Sequence, residues 1–408
     1  MTGLLSDVRV LDLTHMLAGP YGTALLADMG ADMIKIENHF GDHTRGGTHM
    51  QLGGMGAYFL AVNRNKRSVV LDLKSEKGRE VFYDLVKISD VVVDNMRPLS
   101  LQKLKCDYDD LKKINPRIIS CSLTGFGHTG PYRDRTAFDL SIQAISGGMG
   151  LTGEPGRPPV RAGIPIGDLA GGMAAALSIS AALHFRDTTG KGQKLDISLL
   201  DVQISMLSYV ASYYLVGGIL QGPQGSRHGM IVPYEAFQTK DSWIVVACVT
   251  QKFWEGLCIG LGVEELIIDE RFNSPGGRLK NHDDLIPILQ NVFLKKTSAE
   301  WLQILDELEV PCAPVNSVDR ALSDPQVLSR NMVVEFERDV VGKFKLVGNP
   351  IKTSATEDVF NPPPFLGEHT ESILKELLGY SEEKIKQLNE EKAIGLMGQI
   401  PEEEEEEG

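Results

Sequence analysis

The sequence predicts an α/β protein, with a large domain built on a parallel sheet and a second, smaller α+β domain. Three observations lead to this prediction. The chain has 408 residues, more than a single hydrophobic core usually organises. Strand patterns alternate with helical patterns in the first third of the sequence, as in a parallel sheet covered by helices on both faces. After residue 230 a new set of strand and helix patterns begins.

The alternation can be followed from the N-terminus. Apolar strand patterns occur at VRVLDLT (8–14), DMIKIEN (32–38), RSVVLDL (67–73), DVVVDN (90–95) and RIISCSLTGFG (117–127). Helical patterns separate them, at GPYGTALLADMGA and at an amphipathic segment that Ser75 is expected to cap. Ligands of such sheets bind at the carboxyl ends of the strands, so we expect the following loops to lie near one another. The first strand is not followed by GxGxxG, which argues against a nicotinamide dinucleotide.

The rest of the chain divides by composition. Helical patterns surround GQKLDISLLDVQISML, and the Gly-rich stretch 217–229 then indicates a linker. From Ile231 a strand pair and several helical patterns predict the smaller domain. The predicted organisation is the N-terminal part of the large domain at 1–200, a linker at 201–224, the small domain at 225–320, a return linker and the C-terminal part of the large domain at 321–400, and an acidic disordered tail at 401–408.

Charge and cysteine content argue against several classes of protein. The formal net charge is −14, which disfavours nucleic acid or an acidic membrane surface as the main partner. The five cysteines show no CxxC spacing, so neither a disulfide framework nor a metal site is expected. The N-terminus does not resemble a secretory signal, and the apolar run 169–183 is short and rich in Ala, Gly and Ser, as in a packed core helix. We therefore expect a cytoplasmic protein.

One carboxylate stands out in the segment AGIPIGDLAGGMAAALSISAAL (162–183), where Asp168 lies among small residues ahead of an apolar run. A carboxylate at this position can cap the helix by accepting hydrogen bonds from its first backbone N–H groups. It can also act as a nucleophile, because a helix N-terminus favours the anion and the neighbouring glycines leave room for a substrate. The local sequence is compatible with both roles.

Several segments of the chain together resemble one enzyme family. They are LDLTHMLAGPYGTALLADMGADMIKIE, NRNKRSVVLDLK, GFGHTGPYRDRTAFD, IPIGDLAGGMAAA, TGKGQKLDISLLD and FLGEHT (365–370). These segments are similar to the class III coenzyme A transferases, the group of formyl-CoA transferase and carnitine CoA-transferase. The resemblance implies a Rossmann-like large domain built from both chain ends, a small domain joined by two linkers, and an interlocked dimer.

The resemblance also implies an activity, the transfer of CoA from an acyl-CoA donor, such as succinyl-CoA, to a carboxylic acid acceptor. CoA thioesters are then substrates, and no tightly bound cofactor or metal is expected. Asp168 aligns with the catalytic aspartate of the family, which forms an aspartyl anhydride and then an aspartyl-CoA thioester. Asp139 lies where relatives carry an acidic residue that orients this aspartate. Two neighbouring carboxylates also tend to raise the pKa of one of them.

Positions that hold CoA in the family can be carried over in the same way. They are Leu71, Asp72, Leu73, Lys74, Asn95, Met96, Arg97 and Lys103, together with Asn38. Two further cations, Lys66 and Arg67, flank one of the predicted strands and are expected to join this group beside the CoA phosphates. Asn38 departs from the family pattern, because relatives commonly carry there an Arg that packs on the CoA adenine. An amide supplies neither the charge nor the stacking plane.

The predicted contacts to the acyl and acid substrates are His15, Leu17, Phe138, Arg227 and His228. Leu17 replaces a Gln that formyl-CoA transferase uses beside its aspartyl intermediate, which suggests a larger, more apolar acyl group. By the design of the family, the acyl pocket draws on loops of both subunits. Arg227 or His228 is expected to meet the distal carboxylate of a dicarboxylic donor.

Two alternatives remain open. The α-methylacyl-CoA racemases share the fold of this family and carry an Asp that aligns with Asp168, but the His of their proton-transfer pair falls at Phe138, which cannot accept a proton. Some relatives work as heteromeric pairs in which one chain lacks the aspartate. The expected assembly is therefore a homodimer or one subunit of such a heteromer, with no nucleic acid or membrane partner.

Overall fold

The computed structural model describes residues 3–46 and 50–399. These residues form two compact units. The larger unit is drawn from the described residues within 1–148, 161–212 and 328–408, and the smaller unit from Met149–Val160 and Tyr213–Val327. The acidic tail predicted at 401–408 lies outside the described residues.

Strands and helices are numbered in chain order. The strands are β1 (Arg9–Asp12), β2 (Asp32–Glu37), β3 (Gln51–Leu52), β4 (Met55–Gly56), β5 (Lys66–Leu71), β6 (Val91–Asp94), β7 (Ile119–Thr124), β8 (Gln193–Ser198), β9 (Tyr234–Gln238), β10 (Trp243–Ala247), β11 (Cys312–Pro314), β12 (Val333–Arg338), β13 (Gly342–Val347) and β14 (Ile394–Gly395). The helices are α1 (Ala18–Asp28), α2 (Ala57–Val62), α3 (Glu76–Lys87), α4 (Pro98–Lys103), α5 (Tyr108–Ile114), α6 (Asp139–Ile145), α7 (Gly148–Leu151), α8 (Ile166–Thr189), α9 (Leu199–Met206), α10 (Ser208–Gly217), α11 (Gln251–Leu261), α12 (Glu265–Ile268), α13 (Pro275–Lys280), α14 (His282–Phe293), α15 (Ser298–Glu307), α16 (Val318–Leu322), α17 (Pro325–Ser329), α18 (Thr370–Glu376) and α19 (Glu382–Glu390).

A seven-stranded sheet organises the larger unit, in the order β14-β5-β2-β1-β6-β7-β8. Neighbouring strands are parallel from β5 to β8, and β14 pairs antiparallel with β5. In the central strand β1, Val10 lies opposite Met33 of β2 and Val91 of β6. The predicted α/β class is therefore confirmed.

Alternate residues of the central strands enter two cores, one on each face of the sheet. Val10 and Val91 pack in one core, whereas Leu11 and Val92 pack in the other. All four side chains are buried. Because helices cover both faces, these strands are apolar along their whole length, and for that reason continuous apolar runs in the sequence predicted them.

Helix α8 packs against α1 through glycines. A Cβ on Gly172 would lie 2.5 Å from the carbonyl oxygen of Ala18, and a Cβ on Gly22 would lie 2.6 Å from the carbonyl oxygen of Gly172. Only glycine allows two helix backbones to approach so closely. Helix α8 is long and apolar enough to cross a membrane by composition, but its contact with α1 and its buried residues, such as Ile179, are those of a core helix.

The smaller unit contains a three-stranded sheet in the order β11-β10-β9. Both strand pairs are antiparallel, and β9 and β10 form the strand pair predicted after Ile231. Trp254, Phe272 and Phe293 are fully buried in its core. The segment 201–224, predicted as a linker, contains most of α9 and all of α10. Residues 201–212 belong to the larger unit and residues 213–224 to the smaller unit, which also includes residues 149–160.

Candidate active site

The first turn of α8 carries Asp168, and the structure shows which residue caps this helix. Pro165 occupies the N-cap position and makes no side-chain capping bond, and Asp168 is the third residue of the helix. Asp139, at the start of α6, accepts hydrogen bonds through Oδ1 from the backbone N–H groups of Gly167 at 2.8 Å and Asp168 at 3.3 Å. Asp139 therefore caps α8 from a neighbouring helix, and Asp168 does not.

Asp139 is held in place from its other side. Its carboxylate is buried, and its Oδ2 accepts a hydrogen bond from Gln143 Nε2 at 2.5 Å. Gln143 Oε1 in turn accepts from the backbone N–H of Ala162 at 2.9 Å, in the loop that leads to α8. These bonds tie α6 to both the loop and the first turn of α8, so the position of Asp168 depends on Asp139.

The carboxylate of Asp168 has an unusual environment. It is partly buried, and among the described residues no group donates a hydrogen bond to its oxygen atoms. Burial raises its pKa to about 6, and the negative charge of Asp139 contributes in the same direction. At neutral pH the side chain is mostly ionised but poorly solvated. Such a carboxylate is a better nucleophile than one surrounded by donors.

Tyr58 is a residue near this pair that sequence reasoning missed. Burial raises its pKa to about 12, and the charges of Asp168, Asp42 and Asp139 add to this effect. The phenol therefore stays protonated at neutral pH. It lies on α2, in a stretch of sequence with no recognisable motif, so the local sequence does not indicate a functional residue there.

The loop between β1 and α1 lies beside the first turns of α8, because the Gly172 backbone contacts Ala18. Asn95 holds this loop at His15, accepting from its N–H at 3.0 Å and donating to its carbonyl oxygen at 2.7 Å. Burial and the nearby Lys35 lower the pKa of His15, so its imidazole is neutral at pH 7.

The residues that follow His15 differ in exposure. Met16 has a φ of 66°, which is unusual for a side chain other than glycine, and its side chain is exposed. Leu17, a predicted substrate contact, is buried where α1 begins. The apolar group that this loop presents is therefore Met16 rather than Leu17. The predicted contact Phe138 is exposed next to Asp139.

The expectation that Lys66 faces CoA phosphates is wrong. Its ammonium group is buried and donates to Asp12 at 2.9 Å, to Thr23 and to Asn63. Burial lowers its pKa to about 8 even though Asp12 favours the charged form. Arg67 is engaged with Asp32. Both side chains hold the sheet together.

The other predicted CoA cations have a different environment. Lys74, Arg97 and Lys103 are exposed, and none of them forms a salt bridge with a described residue. Lys74 follows β5, Arg97 follows β6, and Lys103 ends α4. The carboxyl ends of β5 and β6 lie on the same edge of the sheet as that of β1. These three cations are therefore available to an anionic ligand at this edge.

The remaining residues predicted to bind CoA are mostly buried or form hydrogen bonds within the protein. Leu71 and Leu73 are buried, Asp72 accepts from the Lys74 N–H at 3.0 Å, and the Met96 N–H donates to Asp94 at 3.1 Å. Asn38 Oδ1 accepts from the backbone N–H groups of Phe40 and Gly41 at 2.9 and 3.0 Å. The Asn38 side chain thus stabilises the turn after β2, and the exposed Phe40 follows it.

Arg227 and His228 belong to the smaller unit. The His228 ring stacks on Tyr234 with centroids 5.3 Å apart, and its Nδ1 accepts from the Met230 N–H. Arg227 donates to Gln224. Among the described residues, no group of three or more His, Cys, Asp or Glu side chains is arranged to hold a metal ion.

The sequence and the fold are similar to those of known proteins. Residues 5–370 match the family described as CoA-transferase family III. The succinyl-CoA:glutarate CoA-transferase of Homo sapiens is 39% identical over 94% of this chain and 88% of its own length. The acetyl-CoA:oxalate CoA-transferase of Acetobacter aceti is 37% identical over 92% of this chain and 96% of its own. A crystal structure of a CAIB/BAIF family protein from Brucella suis superposes with a TM-score of 0.84 at 36% identity, covering 92% of this chain and 100% of that one.

Replacing Asp139 by Asn should lower the pKa of Asp168, because the repelling charge is removed while an amide oxygen can still cap α8. The expected pKa lies below 6, measured from the Asp168 carboxyl carbon signal by NMR. Asp139→Ala should give the same direction and also lower the free energy of unfolding by about 1 kcal/mol, since the cap is lost. An Asp168 pKa unchanged in both variants would contradict the coupling.

Proposed function

Because the chain belongs to CoA-transferase family III, we propose that it transfers CoA from succinyl-CoA or a similar acyl-CoA to a carboxylic acid through covalent intermediates on Asp168. The family and the transferase class predicted from the sequence are confirmed by this membership. The observation that carries the covalent mechanism is the state of Asp168. It is partly buried, no residue that the structure describes donates a hydrogen bond to its carboxylate oxygens, and Asp139 caps the helix in its place.

The proposed reaction has four steps. An Asp168 oxygen attacks the thioester carbon of the donor, the C–S bond breaks, and CoA leaves as a thiolate. The thiolate attacks the aspartyl carbon of the resulting anhydride, which releases the donor acid as a carboxylate and leaves an aspartyl-CoA thioester. The acceptor carboxylate attacks this thioester and again displaces the thiolate. Attack of the thiolate on the acceptor carbon then gives the new acyl-CoA and regenerates the Asp168 carboxylate.

Several groups support these steps. Each attack creates an oxyanion, and a protonated hydroxyl near Asp168, that of Tyr58, is a suitable donor. Lys74, Arg97 and Lys103 supply unpaired positive charge for the CoA phosphates, which are common to every donor. The loop after β1 adds the apolar side chain of Met16. We propose that dicarboxylic acids of the size of succinate and glutarate, which the name of the human relative contains, are substrates. Arg227 and His228 are the predicted contacts to the distal carboxylate of such an acid.

The covalent mechanism predicts an adduct. The purified chain incubated with succinyl-CoA and no acceptor should carry CoA on the peptide that contains Asp168, which mass spectrometry detects. Hydroxylamine should convert the same side chain to a hydroxamate, because it cleaves thioesters. Asp168→Ala should carry no adduct and lose transfer activity, whereas Asp187→Ala, in the last turn of the same helix, serves as the matched control and should behave as the wild type.

The two alternatives give other results. A racemase would leave Asp168 unmodified and would exchange the α-hydrogen of a branched acyl-CoA for solvent deuterium. Phe138 makes us expect no such exchange. A subunit that requires a different partner chain would show neither adduct nor turnover when assayed alone.

Charge reversal tests the CoA site. Lys74→Glu and Arg97→Glu should each raise the apparent KM for several acyl-CoA donors by a similar factor of about 5 to 10, because one phosphate contact is replaced by repulsion worth about 1 to 1.4 kcal/mol. Lys386→Glu, an exposed reversal on α19, should leave KM unchanged. An effect confined to one acyl group would place these residues in the acyl pocket instead.

We further propose that two copies of the chain assemble as a homodimer through an apolar surface of the larger unit. Helix α8 exposes Met173, Leu177 and Phe185, and α6 exposes Leu140 and Ile145. Large apolar side chains grouped on neighbouring helices are unfavourable in water and commonly mark an interface. A second copy as the occupant agrees with the dimer that the family resemblance implies.

The assembly can be tested by light scattering after gel filtration. The wild-type chain should elute with the mass of a dimer, and Leu177→Glu should shift the population towards the monomer, because a charge would be buried in the interface. Lys386→Glu introduces a Glu at an exposed position elsewhere, with a net-charge change of −2 against −1 for Leu177→Glu, and should remain dimeric. A wild-type monomer at micromolar concentration would overturn this proposal.

A further inference from the structure

Gln203 on α9 is buried beside the carboxylate pair, and the mechanism above gives it no role. Its side chain is 5% exposed. Its Oε1 accepts a hydrogen bond from the Ser146 hydroxyl at 2.7 Å, whereas its Nε2 is buried and has no acceptor among the described residues. A buried amide donor without an acceptor is rare, because the group has lost its bonds to water and gained nothing in exchange.

The Nε2 group of Gln203 approaches the first turn of α8 on the same side as Asp139. A Cβ built on Gly167 would lie 2.2 Å from Gln203 Nε2 and 2.9 Å from Asp139 Oδ1. Both atoms therefore converge on the residue that precedes Asp168. An amide oxygen in place of Nε2 would face the Asp139 carboxylate, so electrostatics favour the orientation that turns the N–H groups towards it.

Helices α6, α8 and α9 pack against one another, and the two side chains bind them together. Ser146, which ends α6, holds the oxygen of Gln203, and Asp139, which begins α6, holds the backbone of α8. The amide also fills the space that a side chain at position 167 would need. The backbone at Gly167, which precedes Asp168, is thus held between two buried polar groups, the Asp139 carboxylate and the Gln203 amide.

From this placement we infer that Gln203 is a positioning residue of the transfer reaction, acting on Asp168 through Asp139 and the Gly167 backbone. The inference rests on the proposed function, in which Asp168 is the nucleophile. The positive end of the amide dipole stabilises the state in which both carboxylates are ionised, and this is the state that attacks the thioester. Gln203 does not touch the substrate, because its Nε2 is enclosed.

Two variants separate this role from simple packing. Gln203→Met keeps the length of the side chain and removes both the N–H donor and the oxygen that accepts from Ser146. Gln203→Glu keeps the shape and introduces a carboxyl group that repels the pair when ionised. Both changes disfavour the state in which the two carboxylates are ionised. The rate of adduct formation on Asp168 falls at low pH as this state is lost, and this fall, the acid limb of the pH profile, should therefore move to higher pH. The move should be larger for Gln203→Glu than for Gln203→Met.

The measurement is the single-turnover rate of adduct formation with succinyl-CoA between pH 5 and pH 8.5. For Gln203→Met we expect a shift of about half a pH unit, which is a loss of about twofold at pH 6 and about threefold at pH 5, and a rate close to wild type at pH 8. The donor titrates identically with each variant, so a difference between variants belongs to the protein. Gln290→Met, which makes the same change at a residue of the smaller unit bonded to Gln238, should leave the limb in place.

The outcomes distinguish this inference from the proposed function. An adduct in the wild type together with superimposable acid limbs in all three variants would overturn the role of Gln203 and leave the mechanism standing. A uniform loss of rate at every pH would also overturn it, because that result describes a packing defect. Absence of the adduct in the wild type at any pH would overturn the nucleophile and this inference with it.

Discussion

The candidate site depends on one interaction, the hydrogen bonds that the Asp139 carboxylate accepts from the first turn of α8. A helix N-terminus needs acceptors for its unpaired N–H groups, and they usually come from the residue at the N-cap. Here Pro165 cannot supply one, and a carboxylate from α6 does so instead. As a consequence, the carboxylate of Asp168 lies in the first turn of a helix that it does not cap. The same interaction brings a second negative charge close to it, which raises its pKa.

Buried ion pairs join strands and loops of the large sheet. Lys66 joins β5 to Asp12 of β1 at 2.9 Å, and Lys35 of β2 contacts Asp42 in the following loop at 3.1 Å. Breaking either pair would leave an unpaired charge in a buried environment, which is costly. The pairs therefore fix the positions of these side chains even where their net contribution to the free energy of unfolding is small. Asp42 also accepts from the Met16 N–H, at 3.4 Å, which links this network to the loop beside α8. The loop geometry, including the positive φ of Met16, is therefore imposed by the scaffold.

The sequence predicted what depends on local pattern. Apolar runs identified β1, β2, β5, β6 and β7, and the family motif identified Asp168 as a residue of interest. It did not separate cations by environment, because a Lys at the start of an apolar strand is compatible with a phosphate contact or with a buried ion pair. Burial distinguishes Lys66 from Lys74, and burial follows from packing between distant segments. The cap on α8 could not be found either, because Asp139 and Gly167 are brought together only by the contact of α6 with α8. The predicted roles of the site residues in catalysis stay predictions.

The carboxylate pair also has an energetic consequence that connects stability to chemistry. The folded-state pKa of Asp168 lies above its ordinary value of 3.8, so ionisation between about pH 4 and pH 6 destabilises the folded chain, and above pH 6 the full cost, on the order of 3 kcal/mol, is present. That cost arises from a charge that is poorly solvated and repelled by Asp139. Under the proposed mechanism, the first bond from Asp168 to the acyl carbon moves this charge to the departing thiolate. The repulsion is present in the resting enzyme and is relieved as the bond forms, so it lowers the barrier to attack rather than strengthening the binding of the substrate.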